Sequence, residues 1–331
     1  MSPPEPPIER KRLRLLLTRQ WPTPAIDRLR QRYAVTVDAA DRPLARDALV
    51  EAMRAFDAIC PTVTDRIDAG ILSAGDARVR LLANYGAGTD HIDLAAARVA
   101  GIVVTNTPDV LTEATAEIAI LLMLMAGRRA GEGERELRDG RWTGWRPTHL
   151  TGAGLSGKLL GLVGFGRIAQ ATARIARDGF GMRIAYHSRR RANLPAEFPG
   201  ATYHDDLDSL LAVADVVSLH CPGGPETRHL IDRDRLAAMK PGALLINTAR
   251  GSVVDEAALV DALRRGGIAG AGLDVFEHEP QVPQALRDLE NAVLLPHLGS
   301  ATIETRVAMG LRAAANVDAF FDGFPPPDRV A

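Results

Sequence analysis

Short apolar runs alternate with longer amphipathic stretches along nearly the whole chain. Residues 13–18, 35–37, 58–60, 79–84 and 102–105 read as strands, with helices over 24–32, 44–53 and 94–100 between them. A long helix begins near Thr112, and its apolar part, 118–126, is too short to span a bilayer and reads as buried. A second series of strands follows at 159–163, 182–186, 213–219, 243–247, 270–274 and 292–295. A helix over 168–176 follows the first of these, and a final helix covers 302–321. Strands buried on both faces read as continuous apolar runs, and their alternation with helices predicts parallel α/β architecture. The expected fold is two doubly wound parallel sheets, Rossmann-like or flavodoxin-like. One domain comprises 1–106 with 302–331, and the other, 107–301, is inserted into it.

The second series opens on a run with chemical meaning, Gly161-Leu162-Val163-Gly164-Phe165-Gly166-Arg167-Ile168-Ala169. A strand that turns on glycines into a helix N-terminus is a dinucleotide-binding turn. Gly164 takes backbone angles closed to other residues, and Gly166 lets the main chain approach a pyrophosphate. The helix start at Arg167 and Ile168 offers N–H groups and the positive end of its dipole. The third small position is Ala169, where only close helix–strand packing is required. In NAD enzymes an acid roughly 20 residues further on binds the ribose hydroxyls. Here the second strand leads into His187-Ser188-Arg189-Arg190-Arg191, with no Asp or Glu between Gly179 and Ala196. Serine and guanidinium groups suit a 2′-phosphate that a carboxylate would repel. NADP(H) is therefore expected, bound by Ser188 with Arg189 or Arg190, and NAD(H) is the weaker alternative. A solvated basic turn is the other reading of these arginines.

Composition narrows the function classes. The 331 residues suit two domains. With 40 basic and 41 acidic residues the formal net charge is −1, so no strong field favours nucleic acid or membranes as partners. Two cysteines, Cys60 and Cys221, cannot frame disulfides and fit a reducing cytosol, the expected location. The proline-rich start, Met1 to Ile8, is expected to be disordered. The basic run Arg10-Lys11-Arg12 leads into a first strand and not a signal peptide. A long loop, 131–157, carries Trp142 and Trp145; such a segment either reaches another subunit or packs on its own chain.

Ligands of open α/β sheets bind outside the carboxyl ends of the strands. Arg250, Glu279 and His297 all stand there, each just after a strand of the second series. Reduction of a 2-keto acid needs a proton donor for the carbonyl oxygen and a cation for the carbonyl and carboxylate. Histidine suits the first role, a glutamate on that histidine holds its tautomer, and arginine suits the second. No metal is expected.

Taken with Asn84-Tyr85-Gly86-Ala87-Gly88-Thr89-Asp90-His91-Ile92-Asp93, Asn106 through Glu117, His220 through Leu230, 246–255, 272–280 and 295–302, these features make the chain resemble the D-isomer-specific 2-hydroxyacid dehydrogenases. Tyr186-His187-Ser188-Arg189 and Cys221-Pro222-Gly223-Gly224-Pro225-Glu226 are most similar to the NADPH-dependent glyoxylate and hydroxypyruvate reductases of that family. The resemblance implies His297 as acid/base, Glu279 as its partner and Arg250 as the substrate-binding arginine. It implies that the N–H groups of Ala87 and Gly88 hold the substrate carboxylate and that Asp274 contacts the nicotinamide carboxamide. It further implies that Thr115, Cys221, Thr248 and Gly299 line the cofactor, and that the assembly is a homodimer. A broad-specificity 2-hydroxyacid dehydrogenase, a phosphoglycerate or phosphite dehydrogenase, and a dinucleotide-sensing corepressor remain as alternatives. Glu279 in place of glutamine argues against a formate dehydrogenase.

Overall fold

The computed structural model describes residues 13–191, 198 and 200–331. The readings placed on Met1 to Ile8 and on Arg10-Lys11-Arg12 lie outside the described residues. The chain separates into two compact units, one of Met1–Val110 with Thr302–Ala331 and one of Leu111–Ala301. Each is built on one parallel sheet, as the alternating pattern predicts.

The first unit holds β1 (Arg14–Leu17), β2 (Ala34–Val37), β3 (Ala58–Cys60), β4 (Leu81–Ala83) and β5 (Val103–Thr105). Their order is β2-β1-β3-β4-β5, the flavodoxin-like arrangement. The helix Ile303–Phe321 belongs to this unit, packing on β4 and on the helix Thr23–Arg30. Thr302 caps it, its hydroxyl accepting from the Thr305 N–H. Asp318 of this helix is buried and accepts hydrogen bonds from Arg32 at 2.8 Å and Tyr33 at 2.7 Å. That pairing offsets the cost of burying its charge.

The second unit holds β6 (Leu159–Val163), β7 (Arg183–His187), β8 (Thr202–His204), β9 (Val216–Leu219), β10 (Leu244–Asn247), β11 (Gly270–Leu273) and β12 (Ala292–Leu294). Their order, β12-β11-β10-β9-β6-β7-β8, reverses direction at β6. The glycine turn after β6 therefore lies at the topological switch point. Side chains alternate between two cores. Leu245 of β10 joins the cluster with Val217 and Leu219, whereas Leu244 and Ile246 join the one with Leu160 and Leu162. Both faces are covered, so these strands are apolar throughout. The helix Thr112–Gly127 packs on β10, β11, β12 and the helix Arg167–Phe180, and Ala119, Leu122 and Met123 are among its buried residues.

Two expectations need correction, and one strand was not anticipated. Val213 ends the helix Leu207–Val213, and the strand starts at Val216. The Asp206 side chain caps that helix at the Ser209 N–H, so its apolar residues run into the strand with only Ala214 and Asp215 between. The edge strand β8 has only three residues, with no long apolar run to announce it. The stretch 131–157 is not all loop, because the helix Ala130–Arg138 occupies its beginning. Glycines at 131 and 133 and an uncapped start at Arg129 hid that helix. Beyond it, Trp142 and Trp145 are 51% and 82% exposed. Among the described residues no helix is long and apolar enough to cross a membrane, and no cluster of side chains could hold a metal ion.

Candidate active site

Three neighbouring strands of the second unit deliver the three reactive side chains. β10, β11 and β12 lie side by side and parallel, so their carboxyl ends form one edge. Asn247, the last residue of β10, organises the backbone of the next three residues. Its Oδ1 accepts from the Ala249 N–H at 3.0 Å, and its Nδ2 donates to the Arg250 carbonyl at 2.9 Å. Arg250 Nη1 donates to the Ala249 carbonyl at 2.7 Å. Gly251 then passes so near Phe276 that any Cβ would overlap the Phe276 backbone. That close approach draws the chain after β10 against the chain after β11.

His297 follows β12, its N–H donating to the Asp274 carbonyl at 2.9 Å, and it adopts the left-handed conformation at φ +55°. Its Nδ1 stands 2.8 Å from Glu279 Oε2. A carboxylate can only accept there, so Nδ1 carries the proton and Nε2 is left for chemistry. The other carboxyl oxygen of Glu279 accepts the Phe276 N–H at 3.0 Å. Burial opposes ionisation of Glu279. The hydrogen bond and charge of His297, the Phe276 N–H and the charge of Arg250 together outweigh it and hold the carboxyl below its ordinary range. The same segment is braced from behind by buried Glu256, which accepts the Glu277 N–H at 2.7 Å.

A depressed carboxyl has a consequence in acid. The unfolded chain takes up the proton first, so the stability due to Glu279 is complete above the ordinary value of 4.5 and is lost as pH falls through the lowered one. Thermal melts of the parent protein and of Glu279→Gln are expected to converge as pH falls below 4.5. A gap that stayed constant would show that ionised Glu279 adds nothing.

The dinucleotide turn fits the group that the sequence implies. Gly164 has φ +90°, and a Cβ there would stand 2.9 Å from the backbone of His220 and Cys221. Open space surrounds the Cβ position of Gly166, so nothing blocks close approach to its main chain. The helix Arg167–Phe180 starts at Gly166 with no side-chain cap, so the positive end of its dipole faces the turn. The Phe165 ring is buried and stacks on Tyr186 with centroids 4.3 Å apart, so that position offers a ligand its main chain alone. Asp274 is also buried. Burial pushes its carboxyl up, against N–H donors from Leu298 at 2.6 Å and Gly299 at 2.7 Å. Thr115 donates to the Gly299 carbonyl at 3.0 Å, and the Thr248 hydroxyl oxygen is buried without a partner among the described residues. Burial raises the Cys221 thiol to about 11, which makes it a neutral lining group at pH 7 and not a nucleophile. In the basic turn, Ser188 Oγ donates to the Arg190 carbonyl at 2.6 Å, and Arg189 pairs with Glu226.

Ala87 and Gly88 lie in the first unit, on the loop after β4, whose N–H groups the family resemblance assigns to the substrate carboxylate. The structure adds residues to which the sequence alone gave no role. Asn84 is fully buried, and its Nδ2 donates to the carbonyls of Gly86 at 3.0 Å and Gly88 at 2.9 Å. Asn106 Nδ2 donates to the Ala87 carbonyl at 2.7 Å, and the Thr107 N–H to that of Gly86 at 3.0 Å. In a trans peptide the N–H points away from the C=O. Tying down the carbonyls of Gly86 and Ala87 therefore aims the N–H groups of Ala87 and Gly88 the opposite way. Two carbonyl acceptors fix the Asn84 amide, so its Oδ1 faces His91 Nε2 at 3.0 Å and that nitrogen carries the proton. The available signal was a side-chain amide at a strand end just before a Gly-x-Gly turn.

Comparison with known proteins gives concordant results. Residues 120–299 match the family described as D-isomer specific 2-hydroxyacid dehydrogenase, NAD binding domain. The chain is 45% identical over 321 residues to a glyoxylate reductase of Thermococcus litoralis, covering 96% of each. It is 41% identical over 313 residues to a glycerate dehydrogenase of Hyphomicrobium methylovorum, covering 94% of this chain and 96% of that one. Among solved structures, an NADPH-dependent glyoxylate/hydroxypyruvate reductase from Sinorhizobium meliloti, in complex with NADP and malonate, matches with a TM-score of 0.86 at 38% identity, covering 97% of both chains.

Proposed function

Because this chain belongs to the D-isomer-specific 2-hydroxyacid dehydrogenase family, nicotinamide-dependent oxidoreductases that act on CH–OH groups, we propose that it reduces glyoxylate and hydroxypyruvate to their 2-hydroxy acids with NADPH. The observation that carries the reading is the His297–Glu279 pair, 2.8 Å apart on the strand edge that also bears Arg250. The glyoxylate reductase and glycerate dehydrogenase relatives point to the two substrates, since glycerate is the product of hydroxypyruvate reduction. NADPH follows from the basic turn after β7 and from the relative solved with NADP.

In this reading the unit of Leu111–Ala301 binds the cofactor. The Gly164–Ile168 turn takes the pyrophosphate, Ser188 and Arg189 take the 2′-phosphate, and Asp274 orients the nicotinamide amide. Thr115, Cys221, Thr248 and Gly299 line the cofactor. When bound, the reduced nicotinamide supplies a hydride to the substrate carbonyl carbon. Within this unit Arg250 holds the substrate carboxylate. Arg250 also polarises the keto oxygen, and positive charge aimed at a developing alkoxide is worth most in a site from which water is excluded. His297, protonated at Nε2, gives that proton to the same oxygen, completing a C–H and an O–H bond. Glu279 stabilises the imidazolium before transfer and holds the ring in place.

Initial rates with glyoxylate, hydroxypyruvate, pyruvate and 2-ketoisocaproate, each with NADPH and with NADH, test the reading. The two small acids with NADPH are expected to turn over fastest. Equal rates with NADH would mean that the basic turn is solvated surface. No turnover of any acid would favour a dinucleotide-sensing role.

A further inference from the structure

β7 ends without the acid that selects NAD, yet the structure puts a carboxylate beside this turn from another part of the chain. Glu226, on the loop after β9, forms an ion pair with the Arg189 guanidinium. The sheet order explains the meeting, because β7 and β9 flank β6 and their carboxyl ends stand on either side of the glycine turn. The loop that carries Glu226 is closed on itself. Thr227 Oγ1 donates to the Pro222 carbonyl at 2.7 Å and the Thr227 N–H to the Gly224 carbonyl at 3.2 Å. Gly224, at φ +137°, makes the bend. The root of this loop touches the glycine turn, since His220 and Cys221 are the groups that a Cβ on Gly164 would meet.

We infer that Glu226 sets the cofactor selectivity of this site by competing with the 2′-phosphate of NADPH for Arg189. The inference rests on the proposed use of NADPH by the basic turn. Both side chains are about three-quarters exposed, at 76% and 74%, so water and salt weaken the pair. A 2′-phosphate carries more charge than a carboxylate and accepts two parallel hydrogen bonds from a guanidinium, so it displaces Glu226. It binds less tightly than it would to an unpaired arginine, by about two- to fivefold for an exposed pair. NADH has no phosphate at that position, and its binding does not depend on freeing Arg189. Glu226 thus lowers the preference for NADPH over NADH without touching the reacting groups.

The test is fluorescence titration of the full-length protein with NADPH and with NADH, for the parent, Glu226→Gln, Arg189→Gln and the double variant. Both positions are exposed, and melting temperatures confirm that each variant folds. Glu226→Gln is expected to tighten NADPH about two- to fivefold and to leave NADH within about twofold. Arg189→Gln is expected to weaken NADPH about tenfold or more, and in its background Glu226→Gln should bring no further gain. If Arg189→Gln weakens NADPH but Glu226→Gln changes nothing, the role of Glu226 is overturned and the NADPH reading stands. If Arg189→Gln leaves NADPH unchanged, the reading of the basic turn fails and the inference fails with it. A gain from Glu226→Gln that survives in the Arg189→Gln background would also overturn competition for Arg189.

Discussion

Replacing His297 by asparagine is expected to lower kcat for glyoxylate by about two to four orders of magnitude, the usual worth of a positioned general acid. The dissociation constant of NADPH should stay within about twofold, because the proposed role of the imidazole is on the substrate and not on the dinucleotide. Asparagine is preferred to alanine because it tolerates the φ of +55° found at this position. It is close to the imidazole in polarity but cannot deliver a proton. Steady-state rates and a fluorescence titration read the two quantities separately. Undiminished turnover would remove His297 from the mechanism. Loss of NADPH binding together with turnover would show that the residue holds the cofactor site together.

Arg250→Gln carries the second large effect, a fall in kcat/KM of about two to three orders of magnitude, with both parameters contributing. The guanidinium is asked to hold a carboxylate and to stabilise charge growing on the keto oxygen, so both KM and kcat should suffer. Arg250→Lys retains the charge but not the planar fork and should recover only part of the loss. The backbone about Arg250 is fixed independently of its side chain by Asn247 Nδ2, which donates to the Arg250 carbonyl. A folding defect is therefore not expected to mask the result. A change confined to KM would limit Arg250 to binding.

Much of this site was legible because its residues are tied to strand ends. β6, β10, β11 and β12 are apolar on both faces, and a reactive residue just after such a strand stands on the ligand-binding edge whatever the distant packing does. Residues whose role depends on a partner remote in sequence were not legible. Glu226 meets Arg189 from 37 positions away, and Asn106 reaches the Ala87 carbonyl from 19. Neither contact has a periodicity. The helix Ala130–Arg138 was obscured by Gly131 and Gly133, which weigh against helix locally, while its later residues fit the helical state. β8 is a three-residue edge strand whose pairing with β7, not its own composition, makes it a strand.

The conformation of His297 is held in place by its contacts. A residue with a Cβ held at φ +55° costs about 1 kcal/mol relative to glycine there. The chain tolerates that cost at the position of the proposed proton donor. Glycine at this position would relieve that cost, but it would leave Glu279 without its partner at 2.8 Å and widen the freedom of the unfolded chain, so the exchange brings no net gain in stability. Heat resistance is therefore better sought away from this pair, where neither residue has to be given up.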